Sequence, residues 1–170
     1  LTFSINKVNI EGRDRTNMIT RRAKYAIQAL LCLAGRRGEG PVLAGDIAAE
    51  ARLPGPYLEQ ILGDLRRKGI VASRKGRNGG HLLVRDPESL SLLEILRAVD
   101  GPVAPLPCLS KTAYAKCDDC LDETTCAVRS LLCGVHEATL RALGETTLAE
   151  GLRPRQKPTK ERNHARTRGR

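Results

Sequence analysis

The strongest constraint on this chain is a run of punctuation between residues 44 and 84. Residues 44–51 (AGDIAAEA) read as a short helix whose small residues allow close packing. Arg52-Leu53-Pro54-Gly55 reads as a turn, and Pro56 suits the first turn of a second helix. In residues 56–68, Leu58, Ile61, Leu62 and Leu65 recur at helical spacing and point to one face. Gly69 follows at the position where a left-handed residue closes a helix. A short helix, a tight turn and a longer helix ending in Arg66-Arg67-Lys68 form a helix-turn-helix pattern. Another helix precedes it over 19–35, with Ala23, Ala26, Ile27, Leu30, Leu31 and Leu33 apolar and Thr20 placed to cap its start.

The segment after the second helix narrows the fold further. Ile70-Val71-Ala72-Ser73 and His81-Leu82-Leu83-Val84 can each be a strand. Between them lies Arg74-Lys75-Gly76-Arg77-Asn78-Gly79-Gly80, in which Gly and Asn permit the positive φ of a hairpin tip. Arg74, Lys75 and Arg77 put three cations on that tip, where they can reach a narrow minor groove. The fold class expected is mainly α with a small β-wing: a winged helix-turn-helix. The glycines do not have the spacing of a nucleotide-phosphate loop, GxGxxG or GxxxxGK[ST].

Charge is distributed unevenly over the 170 residues, whose formal net charge is +10. Residues 18–85 hold 13 Lys and Arg against 5 Asp and Glu, whereas residues 86–150 hold 5 against 11. Residues 151–170 hold 8 against 1. A basic half joined to an acidic half suggests a polyanion-binding face coupled to a second task. With no Trp, one Phe and three Tyr, the chain does not have the aromatic platforms on which single-stranded nucleic acids stack. Double-stranded DNA remains the expected polyanion. No run of about 18 apolar residues would span a membrane, and Arg21 to Ala34 is followed by Gly35-Arg36-Arg37 rather than a small-residue cleavage site. The expectation is a cytoplasmic protein, in which unpaired thiols point to metal or redox chemistry.

Four regions are expected: an N-terminal extension over 1–17, the winged helix-turn-helix over 18–86, a cysteine-loop sensor and dimerisation region over 87–150, and a disordered basic tail over 151–170. The sole methionine is Met18, so the extension is read as disordered or as the product of a mis-assigned start, with translation beginning at Met18. Residues 88–99 read as a helix, 101–125 as a Pro- and Cys-rich loop, and Cys126 to about Leu143 as a long helix. Val128, Leu131, Leu132, Val135, Thr139, Ala142 and Leu143 recur there at near-heptad spacing, which suits a C-terminal dimerisation helix. A homodimer bound to a palindromic operator would set two recognition helices about 34 Å apart.

The loop reads Cys108-x8-Cys117-x2-Cys120-x5-Cys126. Thiolates bind iron–sulfur clusters and soft metals, and four of them can also hold a tetrahedral zinc. Cys117 and Cys120 alone could form a CxxC redox couple. The spacing leaves iron–sulfur cluster, zinc and thiol switch open. Of the other two cysteines, Cys32 reads as a core thiol and Cys133 as interface packing, while His136 reads as a residue of the helix surface. A CxxC oxidoreductase is the enzymatic alternative, but no βαβ context surrounds the motif, so no enzyme is expected.

The chain resembles the Rrf-type winged-helix repressors, a family that includes an iron–sulfur cluster regulator and a nitric-oxide-sensing repressor. The resemblance runs from about Met18 to Leu152. It rests on Thr20 to Ala34, Tyr57-Leu58-Glu59-Gln60-Ile61-Leu62, Leu65-Arg66-Arg67-Lys68-Gly69-Ile70-Val71, Gly79-Gly80-His81-Leu82-Leu83, Leu93-Glu94-Ile95-Leu96-Arg97-Ala98-Val99 with Gly101, the cysteine loop, and Thr147-Leu148-Ala149. It implies a DNA-binding transcription regulator whose cysteine-held cluster, 2Fe-2S or 4Fe-4S, senses redox, iron or nitric oxide status. It places Tyr57, Glu59 and Gln60 in the major groove, where Gln can read adenine and Glu cytosine, and Lys75 in the minor groove. Family members typically carry three cysteines spaced by five residues. Here Cys120 and Cys126 match two of them, and Tyr114 stands where the first would be. Arg129 and Lys24 occupy the two positions that supply a fourth ligand in relatives, and neither can coordinate. A set of Cys108, Cys117, Cys120 and Cys126 would be self-sufficient.

Overall fold

The structure is a computed structural model and describes residues 19–153. The expectations for 1–17 and for 154–170 lie outside the described residues. Helix α1 spans Arg21–Gly35, α2 Ala44–Ala51 and α3 Gly55–Arg67. Strands β1 (Val71–Arg74) and β2 (Gly80–Leu83) form an antiparallel hairpin. Helix α4 spans Leu92–Val99 and α5 Ala127–Glu145, and short 3-10 helices occupy Pro107–Leu109 and Leu148–Leu152. The chain is mainly helical with one two-stranded wing, as expected.

Local chemistry sets these boundaries. The Thr20 hydroxyl accepts from the Ala23 N–H and starts α1. Arg52 takes a left-handed conformation (φ 55°) at the end of α2, and Leu53 then turns inward, donating its N–H to the Ala48 carbonyl at 2.8 Å. Gly69, at φ 68°, stops α3 and launches the wing. In the wing, Val71 faces Leu83 and Arg74 faces Gly80. An isolated bridge from Val42 to His81 lends β2 a short second neighbour.

Two sequence boundaries shift. The helix expected from residue 88 starts at Leu92, because Asp86 first closes a turn, accepting from the Ser89 and Leu90 N–H groups. Ser91 then caps α4 in a reciprocal box with Glu94. The segment 101–125 is not wholly irregular, since Pro107–Leu109 forms a 3-10 turn. Gly151 and Leu152, placed in the tail by sequence, belong to the final 3-10 helix.

The core lies between α1, α2, α3 and α4, with Leu30, Ile47, Leu58, Ile61, Leu62, Leu65, Leu90 and Ile95 fully buried. Burying a side chain of this size contributes about 1.5–3 kcal/mol relative to leaving it exposed. The final 3-10 helix returns to this core through Leu148, held by Leu148 N–H to Leu90 O at 2.9 Å. Among the described residues no helix is long and apolar enough to cross a membrane.

Candidate nucleic-acid interface and cysteine loop

Helix α3 buries Leu58, Ile61, Leu62 and Leu65, so the opposite face is left to solvent. Glu59, Gln60 and Arg66 are exposed on α3. Tyr57 is half-buried, its ring standing edge-on to Tyr25 with centroids 5.8 Å apart and packed against the core. Burial pushes its hydroxyl pKa up. The ring of Tyr57 is therefore an anchor between α1 and α3, and the outward surface of α3 belongs to Glu59, Gln60 and Arg66.

Arg67 does not stand alone. It and Arg22 of α1 both pair with Asp64, which ties α3 to α1. On the wing, Arg74, Lys75 and Arg77 are all exposed, and none has an ion-pair partner among the described residues. Gly79 permits this tip: a Cβ there would collide with the backbone carbonyls of Arg74 and Gly76. Gly80, at φ 147°, lies directly on the backbone of Val42. His81 lies at the base of the wing, its Nδ1 3.1 Å from the Ser73 hydroxyl. Burial lowers its pKa, and Glu59 and Arg66 act on it from α3 with opposite signs. The wing tip thus carries three exposed cations, and the outer face of α3 carries Glu59, Gln60 and Arg66.

The cysteine loop is tied to the start of α5. Cys126 is the N-cap of that helix, its sulfur accepting from the Arg129 N–H at 3.5 Å. The Arg129 guanidinium bonds back to the Cys108 carbonyl and pairs with Glu123 at 3.5 Å. Tyr114 donates its hydroxyl to the same Glu123. Arg129, which sequence comparison marks only as a failed ligand position, is therefore the post around which the loop is wound. A Cys directly before a helix start, with a cation three residues on, was the available signal. Asp122 is also structural: it accepts from Thr124 N–H at 2.9 Å and from the Thr124 and Thr125 hydroxyls, which hold its carboxyl below the usual range.

The neighbouring Cys108 pushes the Cys117 thiol pKa up. Cys120 lies beside Cys126, and burial first, then that neighbour, raises its pKa. Cys108 is buried, while Cys117, Cys120 and Cys126 are half-exposed. Among the described residues no three Cys, His, Asp or Glu side chains converge on one metal-sized point. Four thiolates are the donor set of a two-iron cluster and of a tetrahedral zinc alike, and the loop supplies four cysteines, one buried and three half-exposed.

The remaining candidates divide. Cys32 is buried as expected; burial, then a hydrogen bond with Glu50, pushes its thiol up to about 11. Lys24 is exposed on α1. His136 is a correction: only 4% exposed, it faces inward, and its Nε2 has no partner among the described residues. Val128, Leu131 and Val135 of α5 are exposed at 55%, 77% and 62%. Leu132, Thr139 and Leu143 of the near-heptad set are half-buried, so that face is bare in part on a single chain.

Comparison with known proteins agrees with this architecture. The profile of the Rrf2 family, described as iron-dependent transcriptional regulators, matches residues 19–153. An rrf2-like HTH-type transcriptional regulator of Rhodobacter capsulatus is 45% identical over 138 residues, covering 79% of this chain and 92% of that protein. Among solved structures, CymR, the global cysteine regulator of Bacillus subtilis, superposes with a TM-score of 0.64 at 30% identity, covering 79% of this chain and 95% of that one. IscR of T. potens gives 0.61 at 29%, covering 79% and 85%. These relatives are transcription regulators and not enzymes, and the chain belongs to the Rrf2 family of winged helix-turn-helix transcriptional regulators.

Proposed function

We propose that this regulator binds a palindromic operator as a homodimer, represses from it, and responds to redox, iron or nitric oxide status through an iron–sulfur cluster held by Cys108, Cys117, Cys120 and Cys126. Such a cluster supplies iron that can be oxidised, lost or nitrosylated. One observation carries the coupling: Cys126 is both a loop thiol and the N-cap of α5. A change at that thiol acts on the first turn of α5. Helix α5 packs on α4, and α4 packs on both α1 and α3. The C-cap of α4, Asp100, accepts from the Thr20 hydroxyl at 2.7 Å, and Thr20 is the N-cap of α1. A chain of packed elements therefore runs from the loop to the recognition helix.

In this reading Glu59 and Gln60 meet base edges, Arg66, Arg74 and Arg77 meet phosphates, and Lys75 enters the minor groove. Tyr57 sets the pose of α3 through Tyr25. The bare Val128, Leu131 and Val135 face of α5 meets its copy in a second chain. The test is anaerobic purification followed by an absorption spectrum and iron, sulfide and zinc analysis. Absorbance near about 400 nm with matching iron and sulfide is expected, as is operator affinity that differs between cluster-loaded and cluster-free protein. The operator would be selected by the protein from random duplexes. Colourless protein holding zinc, or identical affinity in both states, would overturn the sensing mechanism.

A further inference from the structure

We propose that Arg129 is the positioning residue of the sensor loop, gathering its first and last cysteines onto α5 before any metal is bound. Three bonds from this one residue carry the inference. Its backbone N–H donates to the Cys126 sulfur at 3.5 Å. Its guanidinium donates to the Cys108 carbonyl, 21 positions back in the chain, and pairs with Glu123 at 3.5 Å. The two outer members of the proposed ligand set, Cys108 and Cys126, are therefore both bonded to atoms of Arg129. The Tyr114 hydroxyl donates to the same Glu123, so the middle of the loop is drawn to the same post.

Chain entropy explains why such a residue is needed. Apart from the 3-10 turn Pro107–Leu109, the segment 101–125 is irregular, and bringing Cys108 to Cys126 closes a long loop at an entropic cost. If the loop is unfastened, that cost is drawn from the binding energy of whatever its thiols hold; a loop already closed removes it. Arginine suits the task. Its planar fork can hold a carbonyl and a carboxylate at once, whereas lysine offers a point charge on a flexible stem. The carbonyl it holds lies in the 3-10 turn, where Leu109 N–H donates to Leu106 O and Ser110 N–H to Pro107 O, each at 3.1 Å. Ala115 N–H closes on the same Pro107 carbonyl at 3.3 Å. These three amides report whether the Arg129 hold is intact. The cap of α5 uses only the backbone N–H of Arg129, so replacing the side chain tests the guanidinium alone. This inference rests on the loop being the ligand-holding sensor, but its main readout needs no metal.

Full-length protein is stripped of metal with chelator under reductant, and amide hydrogen exchange is followed residue by residue. Arg129→Met keeps an apolar stem and removes every side-chain donor. It should speed exchange at Leu109, Ser110 and Ala115 by about 10-fold, the factor that one charge-assisted hydrogen bond supplies, and leave Leu30 and Leu62 unchanged. Arg129→Lys should recover part of the protection. Glu123→Gln, which leaves the bond to Cys108 in place, should lose less than Arg129→Met. In protein purified anaerobically with its iron, Arg129→Met should give up iron to a chelator faster than the unsubstituted chain, by about the same factor. Unchanged exchange at the three amides, or an acceleration shared equally by Leu30 and Leu62, would overturn the proposal. So would iron loss at the rate of the unsubstituted chain. Failure of the cluster reading shows separately, as absent iron and colour in the unsubstituted protein, and leaves the exchange measurement standing.

Discussion

The two halves of the molecule are held together by different forces. From α1 to the wing, folding rests on buried aliphatic side chains: Leu30, Ile47, Leu58, Ile61, Leu62 and Leu65 are all within 1% of complete burial. The cysteine loop and α5 instead rest on polar ties. Across its 19 residues α5 buries only His136, and its loop is fastened by Arg129, Glu123, Asp122 and a thiol cap. Individual hydrogen bonds of this kind are worth about 0.5–1.5 kcal/mol net, so the sensor half can rearrange while the reader half stays folded.

The largest effect should separate the halves outright. Leu62→Ala removes a fully buried side chain from α3 and should cost about 2–5 kcal/mol, read as the same loss in urea unfolding at every protein concentration. Leu131→Ala, on the bare face of α5, should change the stability of an isolated chain by less than about 0.5 kcal/mol. If that face joins two copies, sedimentation of Leu131→Asp should shift to the monomer and operator affinity should fall with it. An unchanged dimer would place the interface elsewhere.

Within the reader, specificity and attraction should come apart. Gln60→Ala should cost about 1–3 kcal/mol of discrimination at the base it reads, and should leave the salt dependence nearly intact. Arg74→Ala, at a phosphate, should weaken binding to all duplexes alike and lower the salt slope by about 1. Titrations of specific and scrambled duplexes at several salt concentrations measure both. Equal losses on the two duplexes for Gln60→Ala would remove it from base reading.

The reader is legible in sequence because it is built from periodic burial and turn chemistry. Leu58, Ile61, Leu62 and Leu65 announce α3, and Gly69, Gly79 and Gly80 sit where the backbone demands them. The resemblance places Tyr57 at the DNA, and the structure adds its edge-on contact with the Tyr25 ring, which sequence spacing does not reveal. The loop is legible in composition but not in arrangement. Arg129 ties the Cys108 carbonyl to the start of α5, 21 residues on, a contact that no spacing rule encodes. His136 shows the same limit: a polar residue on a polar helix, turned inward by how α5 lies on its neighbours.

The junction between the halves offers a smaller test. Ser91 caps α4 while Glu94 answers it, and that carboxyl stays below its ordinary range: burial would raise it, but the Ser91 bonds and Arg85 outweigh burial. Ser91→Ala should cost about 1 kcal/mol in thermal or urea unfolding. It should also loosen the attachment of the final 3-10 helix, since the backbone at the start of α4, which the cap holds, pairs with Thr146 and Leu148. Faster amide exchange at Leu148 than at Leu30 in this variant would show the junction giving way before the core.

The smallest effect belongs to the wing, and its sign is fixed by His81. Burial lowers the pKa of that imidazole, so the folded state prefers it neutral, bonded to Ser73. The unfolded chain then binds the proton more readily, near about pH 6.5. Stability contributed by the neutral ring is fully present above that value and is lost as the pH falls through it toward the lower folded-state value. Glu94 and Asp122 shift downward as well, but they titrate in the carboxylate range and leave the window above about pH 5.5 to His81. Urea midpoints between pH 8 and 5.5 should therefore decline, and His81→Gln should flatten the decline. Because Glu59 and Arg66 are the charged groups acting on the ring, Glu59→Gln removes the one that favours the proton. It should steepen the decline, and an unchanged slope would show that His81 does not sense the recognition helix.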